Sequence, residues 1–226
     1  VSRPVTVKTR IGWGPESQAP IADLARRLED AGVRAITVHC RTVKQGYEGA
    51  ADWSHAARAQ RAVSIPVLVN GDIRSAADAR RALDETGCAG VMIGRRAIEH
   101  PWIFREARAL LDTGKGHPKP TATERFAACR AHASALASAY EERAARRALR
   151  RFLPGCLRGI SADPEVLAPA GSLEEWCERL DACEQRHALE GPARRGRALP
   201  DERLDEALDA DEALPRAFSR RRSSPP

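Results

Sequence analysis

The chain has 226 residues, 30% of them charged, with 37 Lys and Arg against 31 Asp and Glu for a formal charge of +6. That length allows one large domain, or one domain and an appendage, with a sizeable core. No run approaches the roughly 18 uninterrupted apolar residues of a membrane span, and the opening VSRPVTVKTR lacks the apolar block of a secretory signal, so a soluble cytoplasmic protein is expected.

Four short β-branched runs follow one another, each succeeded by a polar loop and a helix-period segment: PVTVKTR (4–10), AITVHCRT (35–42), PVLVNGDI (66–73) and GVMIGRR (90–96). Each is too short and too rich in Val and Ile for a helix, and the runs read as apolar on both faces, as parallel strands covered by helices tend to be. After the first run, Ile21, Leu24, Leu28 and Ala31 form a helical stripe that Gly32 stops. After the third, Ser75 is placed to cap a helix with Asp78 three residues on, and Ala79, Ala82 and Leu83 make the buried stripe. Repeated strand–helix units predict an α/β fold with a parallel sheet. Four units are half of a TIM (β/α)8 barrel. The rival, a doubly wound sheet, usually carries G-x-G-x-x-G after its first strand, and none is present. The expectation is therefore a partial barrel over 1–112.

DTGKGHPKP (112–120) reads as a linker. Beyond it, 122 to about 152 is rich in Ala, Arg and Glu at helical spacing and 173–188 is a further helix, so 122–188 is expected to be an all-α domain. From 189 to 226 Pro, Arg, Asp and Ser dominate, and a disordered basic tail is expected. The six cysteines form no C-x-x-C pair, so reduced packing thiols are expected rather than a metal site or disulfides. The first residue is Val and the only methionine is Met92, as expected of a fragment or a processed product.

In an eight-stranded barrel, reactive groups stand at the C-terminal strand ends, and a cofactor phosphate often binds the loops after strands seven and eight. Those loops would here be Asn70-Gly71-Asp72 and Gly94-Arg95. Glycine lets backbone N–H groups approach phosphate oxygens, a helix N-terminus adds a favourable dipole, and Arg95 offers a charge-assisted fork. The plainer alternative is that Gly71 makes a tight turn and Asp72 caps a helix. Lys8 and His39 close the earlier strands. Lys8 either meets an anion or snorkels out, and His39 is either a ligand donor or a satisfied core imidazole. In the helical region Arg143, Arg147, Arg150 and Arg151 share a face that could track a phosphodiester backbone, or form a solvated surface with Glu141 and Glu142.

PVTVKTRIGW, ITVHCRTVKQGYEGAADW, IPVLVNGDIRSAADARRAL and GCAGVMIGRRAIEHPWIF closely resemble the second half of the flavin barrel of tRNA-dihydrouridine synthases, from about residue 4 to 105. RRALRRFLPGCLRGI (146–160) resembles, more weakly, part of that family's helical RNA-facing domain. The resemblance implies an FMN-dependent oxidoreductase that reduces the C5–C6 bond of tRNA uridines, with NADPH reloading the flavin and tRNA as partner. It implies Lys8 and His39 against the flavin, Asn70, Gly71, Asp72, Gly94 and Arg95 around its phosphate, Arg41 on the substrate side, and Arg147, Arg150 and Arg151 on the RNA. The family's proton-donating Cys, in N-x-G-C-P, has no counterpart here, so no catalytic residue is assigned and this chain is not expected to catalyse alone. Cys40 replaces the usual Gly of H-G-R-T and reads as a tolerated substitution. Glu99-His100 replace the usual Gly-Asn. Two other readings remain: another FMN-barrel oxidoreductase acting on a small molecule, which predicts flavin without RNA, and a noncatalytic RNA-binding remnant, which predicts RNA without flavin. Half a barrel leaves strand edges open, and the oligomeric state is not predicted.

Overall fold

The computed structural model describes residues 2–14, 20–158, 160 and 164–189. The expected disordered tail lies outside them, apart from Leu189. The chain divides into two compact units with the boundary between Lys119 and Pro120.

The first unit contains β1 (Thr6–Arg10), α1 (Ile21–Asp30), β2 (Ala35–His39), α2 (Ser54–Ala62), β3 (Val67–Asn70), α3 (Ala76–Thr86), β4 (Gly90–Met92), α4 (Arg95–Glu99) and α5 (Ile103–Thr113). All four strands are parallel and lie in chain order, β1-β2-β3-β4. One row of residues, Val7, Ile36, Val38, Val67, Val69 and Val91, packs against Ala25, Leu28, Ala56, Ala59, Ala79, Ala82 and Ala107 of the helices. Among the described residues of this unit, the helices cover one face of the sheet. That, with sequential strand order, is a barrel wall; a doubly wound sheet carries helices on both faces and reverses its strand order.

The uncovered face corrects the expectation of strands apolar on both sides. Side chains alternate along a strand, so Lys8 and Arg10 of β1 share a face with Thr37 and His39 of β2, Leu68 and Asn70 of β3, and Met92 of β4. The Val and Ile content that marks these runs as strands is concentrated in the other row. A barrel wall needs apolar side chains where helices cover it, and can carry polar ones where it lines the interior.

The local signals of α1 and α3 are largely met. Ile21 and Ala25 are buried with Leu24 and Leu28 beside them, whereas Ala31, expected on that stripe, is the exposed C-cap. In α3 the Ser75 Oγ accepts from the Asp78 N–H and donates to the Asp78 carboxylate. The α5 helix absorbs Asp112 and Thr113, which the sequence places in a linker, and ends on left-handed Gly114.

The second unit holds α6 (Ala122–Ala139), α7 (Glu142–Cys156), α8 (Pro164–Leu167) and α9 (Leu173–Leu189). Thr121 and Glu124 form a complete capping box at the start of α6. Extended Tyr140 and Glu141 divide the Ala/Arg/Glu-rich stretch into two helices. Phe126, Cys129 and Ala133 of α6 pack with Leu149, Leu153 and Cys156 of α7 and Trp176 and Leu180 of α9 as buried core. Among the described residues no helix is long and apolar enough to cross a membrane, and no cluster of His, Cys, Asp and Glu is arranged to hold a metal.

Candidate functional site

The C-terminal edge of the sheet is one row of paired residues. Arg10 pairs with His39, His39 with Asn70, and Asn70 with Met92. The loops that follow these strands therefore start side by side, and the tips Asn70–Asp72 and Gly94–Arg95 are neighbours at the same end. Asn70 strengthens that adjacency: its Nδ2 donates to Met92 O at 2.8 Å, and its own carbonyl accepts from Cys40 N at 3.0 Å.

Gly71 has a reason that the sequence does not show. Its φ is +119°, and a Cβ there would lie 2.7 Å from the Ala51 Cβ and 3.3 Å from the His39 Cδ2. Its carbonyl accepts from the Trp53 indole N–H at 2.8 Å. What approaches Gly71 on its Cβ side is thus the β2–α2 loop and the His39 ring. Gly94 is different, because a Cβ there would meet nothing within 4 Å. It leads into α4 with no side-chain cap, whereas α3 is capped by its own Ser75 several residues past Gly71. A helix terminus is open at the second tip and closed at the first.

Asp72 and Arg41 are engaged with each other, and this redirects two expectations. The Arg41 residue is 1% exposed. Its Nη2 lies 2.7 and 2.9 Å from the two Asp72 carboxylate oxygens, and its Nε donates to the carbonyls of Glu48 and Gly49. Asp72 also accepts from Ala51 N at 2.8 Å. Burial by itself would raise the Asp72 carboxyl; the hydrogen bonds from Arg41 and Ala51, with the Arg41 and Arg74 charges, outweigh it and hold the group below its usual range. An ionised carboxylate repels phosphate, and these Arg41 donors are turned inward. The Asp72 carboxylate and the Arg41 guanidinium thus brace each other and the loop that follows β2.

Around this brace the edge is strongly cationic. His39 is buried and its imidazole is pushed down to about 4, by burial first and then by the charges of Arg10, Lys8 and Arg41, so it is neutral at pH 7. Lys8 is exposed, with its ammonium lowered by partial burial and by Arg10. Two residues that the sequence reading did not single out complete the group. Arg10 donates through Nη1 to Thr42 O at 2.7 Å and Gly46 O at 3.0 Å, fastening the β2–α2 loop to the end of β1. Tyr47, on that loop, lies 4.2 Å beneath the Arg95 guanidinium and 6.5 Å from the His39 ring. The strand period of two, which puts Arg10 on the face of Lys8, was signal enough for the first; no local pattern announces Tyr47.

The thiols are packing groups. Cys40 is 1% exposed, its Sγ points at Val38 O, and burial pushes its thiol up to about 12, so it is neither acid nor nucleophile at neutral pH. Cys129 and Cys156 are buried inside the helical unit, where Cys156 Sγ donates to the Arg125 carbonyl, and the Cys129 thiol is raised by its Cys156 neighbour and by burial.

On α7 the expected basic stripe is divided from the core as its spacing requires. Arg143, Arg147 and Arg150 are exposed and Arg151 is half-buried, while Ala145, Leu149 and Leu153 are buried. Arg146 turns instead to the carbonyl of Ala170.

A family model described as dihydrouridine synthase matches residues 1–188. A probable tRNA-dihydrouridine synthase of Rhodobacter capsulatus is 48% identical over 141 residues, covering 62% of this chain and 43% of the relative. A probable tRNA-dihydrouridine synthase 1 of Synechocystis is 36% identical over 183 residues, covering 80% and 51%, and tRNA-dihydrouridine synthase B of Salmonella typhimurium is 36% identical over 185 residues, covering 81% and 57%. The chain spans about half the length of these curated relatives. Since the family match runs through both units, from the cationic strand edge to the end of the helical bundle, the chain belongs to the dihydrouridine synthase family.

Proposed function

We propose that the chain is the part of a tRNA-dihydrouridine synthase that holds the phosphate end of FMN and engages tRNA, in an enzyme that reduces uridine to 5,6-dihydrouridine with NADPH as reductant. The observation that carries this reading is the side-by-side placement of the two tips beneath a cationic edge, with open space at Gly94. The donor set fits a phosphate-bearing planar group: backbone N–H groups at Gly94 and the uncapped start of α4, the Arg95 guanidinium beside them, and Lys8 on the same sheet face.

When bound, the flavin supplies the hydride. The chain's residues set the field around it. Lys8 places positive charge on the inner face of the sheet and favours an electron-rich neighbour. Neutral His39 can donate or accept a hydrogen bond but does not add to that charge at pH 7. Asn70 holds the two tips together, and Asp72 and Arg41 brace the loop above them. Neither cysteine of the first unit is poised to supply a proton at this edge: Cys40 and Cys88 are both buried, with thiols raised by burial. Arg147, Arg150 and Arg151 are proposed to follow the tRNA backbone, a role that solvent exposure and spacing support.

The test has two arms. FMN titrated into the chain should lose fluorescence on binding, and Arg95→Ala should weaken that binding about tenfold through the lost charge-assisted contact. The whole protein, given NADPH and a tRNA transcript, should add two hydrogens to a uridine, read by mass spectrometry of the digested RNA. A whole protein that stays colourless and leaves the transcript unchanged defeats the reading. Flavin binding without tRNA binding would favour an oxidoreductase of small molecules.

A further inference from the structure

The β2–α2 loop has few apolar anchors of its own between Arg41 and Ala51, yet it carries Tyr47 to the cationic edge. Val43 and Tyr47 are exposed, at 43% and 46%. Besides the Val43 and Lys44 N–H groups, which donate to the carbonyls of Gly12 and Trp13, three side-chain fastenings hold the loop. Arg10 binds its carbonyls at Thr42 and Gly46. The Thr42 N–H meets the Gln45 side chain, closing a local turn. The third is different in kind, because it joins the loop to the β3 tip: Arg41 Nε to Glu48 O and Gly49 O, Arg41 Nη2 to both Asp72 oxygens, and Asp72 Oδ2 from Ala51 N. The two side chains are 2% and 21% exposed, so little water competes for these contacts. Asp72 adopts φ +53°, a left-handed conformation that Asp tolerates better than most non-glycine residues. Gly71 beside it leaves no room for a methyl against Ala51.

We propose that Arg41 and Asp72 are a positioning pair, a bolt with little solvent access that fixes the distance between the β2–α2 loop and the β3 tip and so sets Tyr47 beneath Arg95 and beside His39. Neither residue touches a ligand in this role. The pair works through the loop: it decides where the Tyr47 ring stands relative to Arg95 and His39. The effect on flavin affinity rests on the function proposed above; the placement of Tyr47 does not.

The chain has two tyrosines, Tyr47 in the first unit and Tyr140 in the second, so selective ring labelling and NMR give one reporter and one internal control. Without flavin, the Tyr47 ring should show cross-peaks to the Arg95 side chain. Asp72→Asn should abolish them and move the Tyr47 resonance, leaving that of Tyr140 in place. Because Asp72→Asn strands a buried guanidinium and can fail to fold, the double variant Arg41→Met with Asp72→Asn removes both charges and leaves neither unpaired. It should keep the far-UV dichroism of the parent, displace Tyr47 in the same way and, where the parent binds FMN, raise the dissociation constant about tenfold. A folded double variant with its Tyr47 cross-peaks intact overturns the proposal. Displaced Tyr47 in a parent that ignores FMN upholds the bolt and defeats the flavin reading instead.

Discussion

The strand edge of the first unit and the outer face of α7 in the second hold their positive charge in opposite ways. At the strand edge, Arg41 and Arg10 are fastened to carbonyl oxygens and, for Arg41, to a half-buried carboxylate, with the nearby histidine kept neutral by burial and by their charges. On α7, Arg143, Arg147 and Arg150 are exposed on the outer face of a helix whose inner face supplies the core. Fixed charge offers one geometry and requires the protein to carry the cost of burial; solvated charge offers many geometries and is screened by salt. The first suits a ligand of defined shape, the second a polyanion whose contacts shift along its length.

The sharpest way to break the first region is Gly71→Ala. The added methyl has Ala51 at 2.7 Å and a φ of +119° to satisfy, so a loss of about 4 kcal/mol is expected, seen as a large fall in Tm or as insoluble protein. Gly94→Ala, at the neighbouring tip, meets open space and should change Tm little while weakening any flavin contact there. For the helical unit the corresponding break is Leu149→Ala in the fully buried core, expected to cost about 3 kcal/mol in chemical denaturation.

The contrast in charge can then be sharpened. Replacing Arg147, Arg150 and Arg151 together by Gln should lower tRNA affinity some 30-fold and reduce the slope of log affinity against log salt by roughly 2 to 3. Melting of the free chain should hardly move. A tRNA affinity whose salt slope is unchanged would remove the stripe from the RNA surface.

His39 gives the fixed region a pH signature. Folded, it stays neutral down to about 4, while unfolded it takes up its proton near 6.5. Between those values the unfolded state binds more protons, so stability is full above about pH 6.5 and falls as the pH drops toward 4. Tm at pH 5 should be lower than at pH 7 by roughly 5 °C, and His39→Gln should flatten that slope. Thr121→Ala, which removes the capping box of α6, should cost about 1 kcal/mol.

Much of this was legible in the residues themselves. The four strands, the α3 cap at Ser75, the Arg face of α7 and the positions of Asn70, Gly71, Gly94 and Arg95 follow from periodicities and turn chemistry that act within a few residues, and these forces are nearly the same in any fold. Division of the strands into an apolar and a polar face was present as alternation but hidden by the density of Val and Ile. Only tertiary structure could decide that Arg41 and Asp72 face each other from positions 31 residues apart, that Ala51 fills the space beside Gly71, and that Tyr47 meets Arg95. These are meetings between loops distant in sequence, and no local preference encodes them. They exist because parallel strands in register bring successive C-terminal ends to one edge, where burial removes competing water and leaves each charge with the partner that the fold provides.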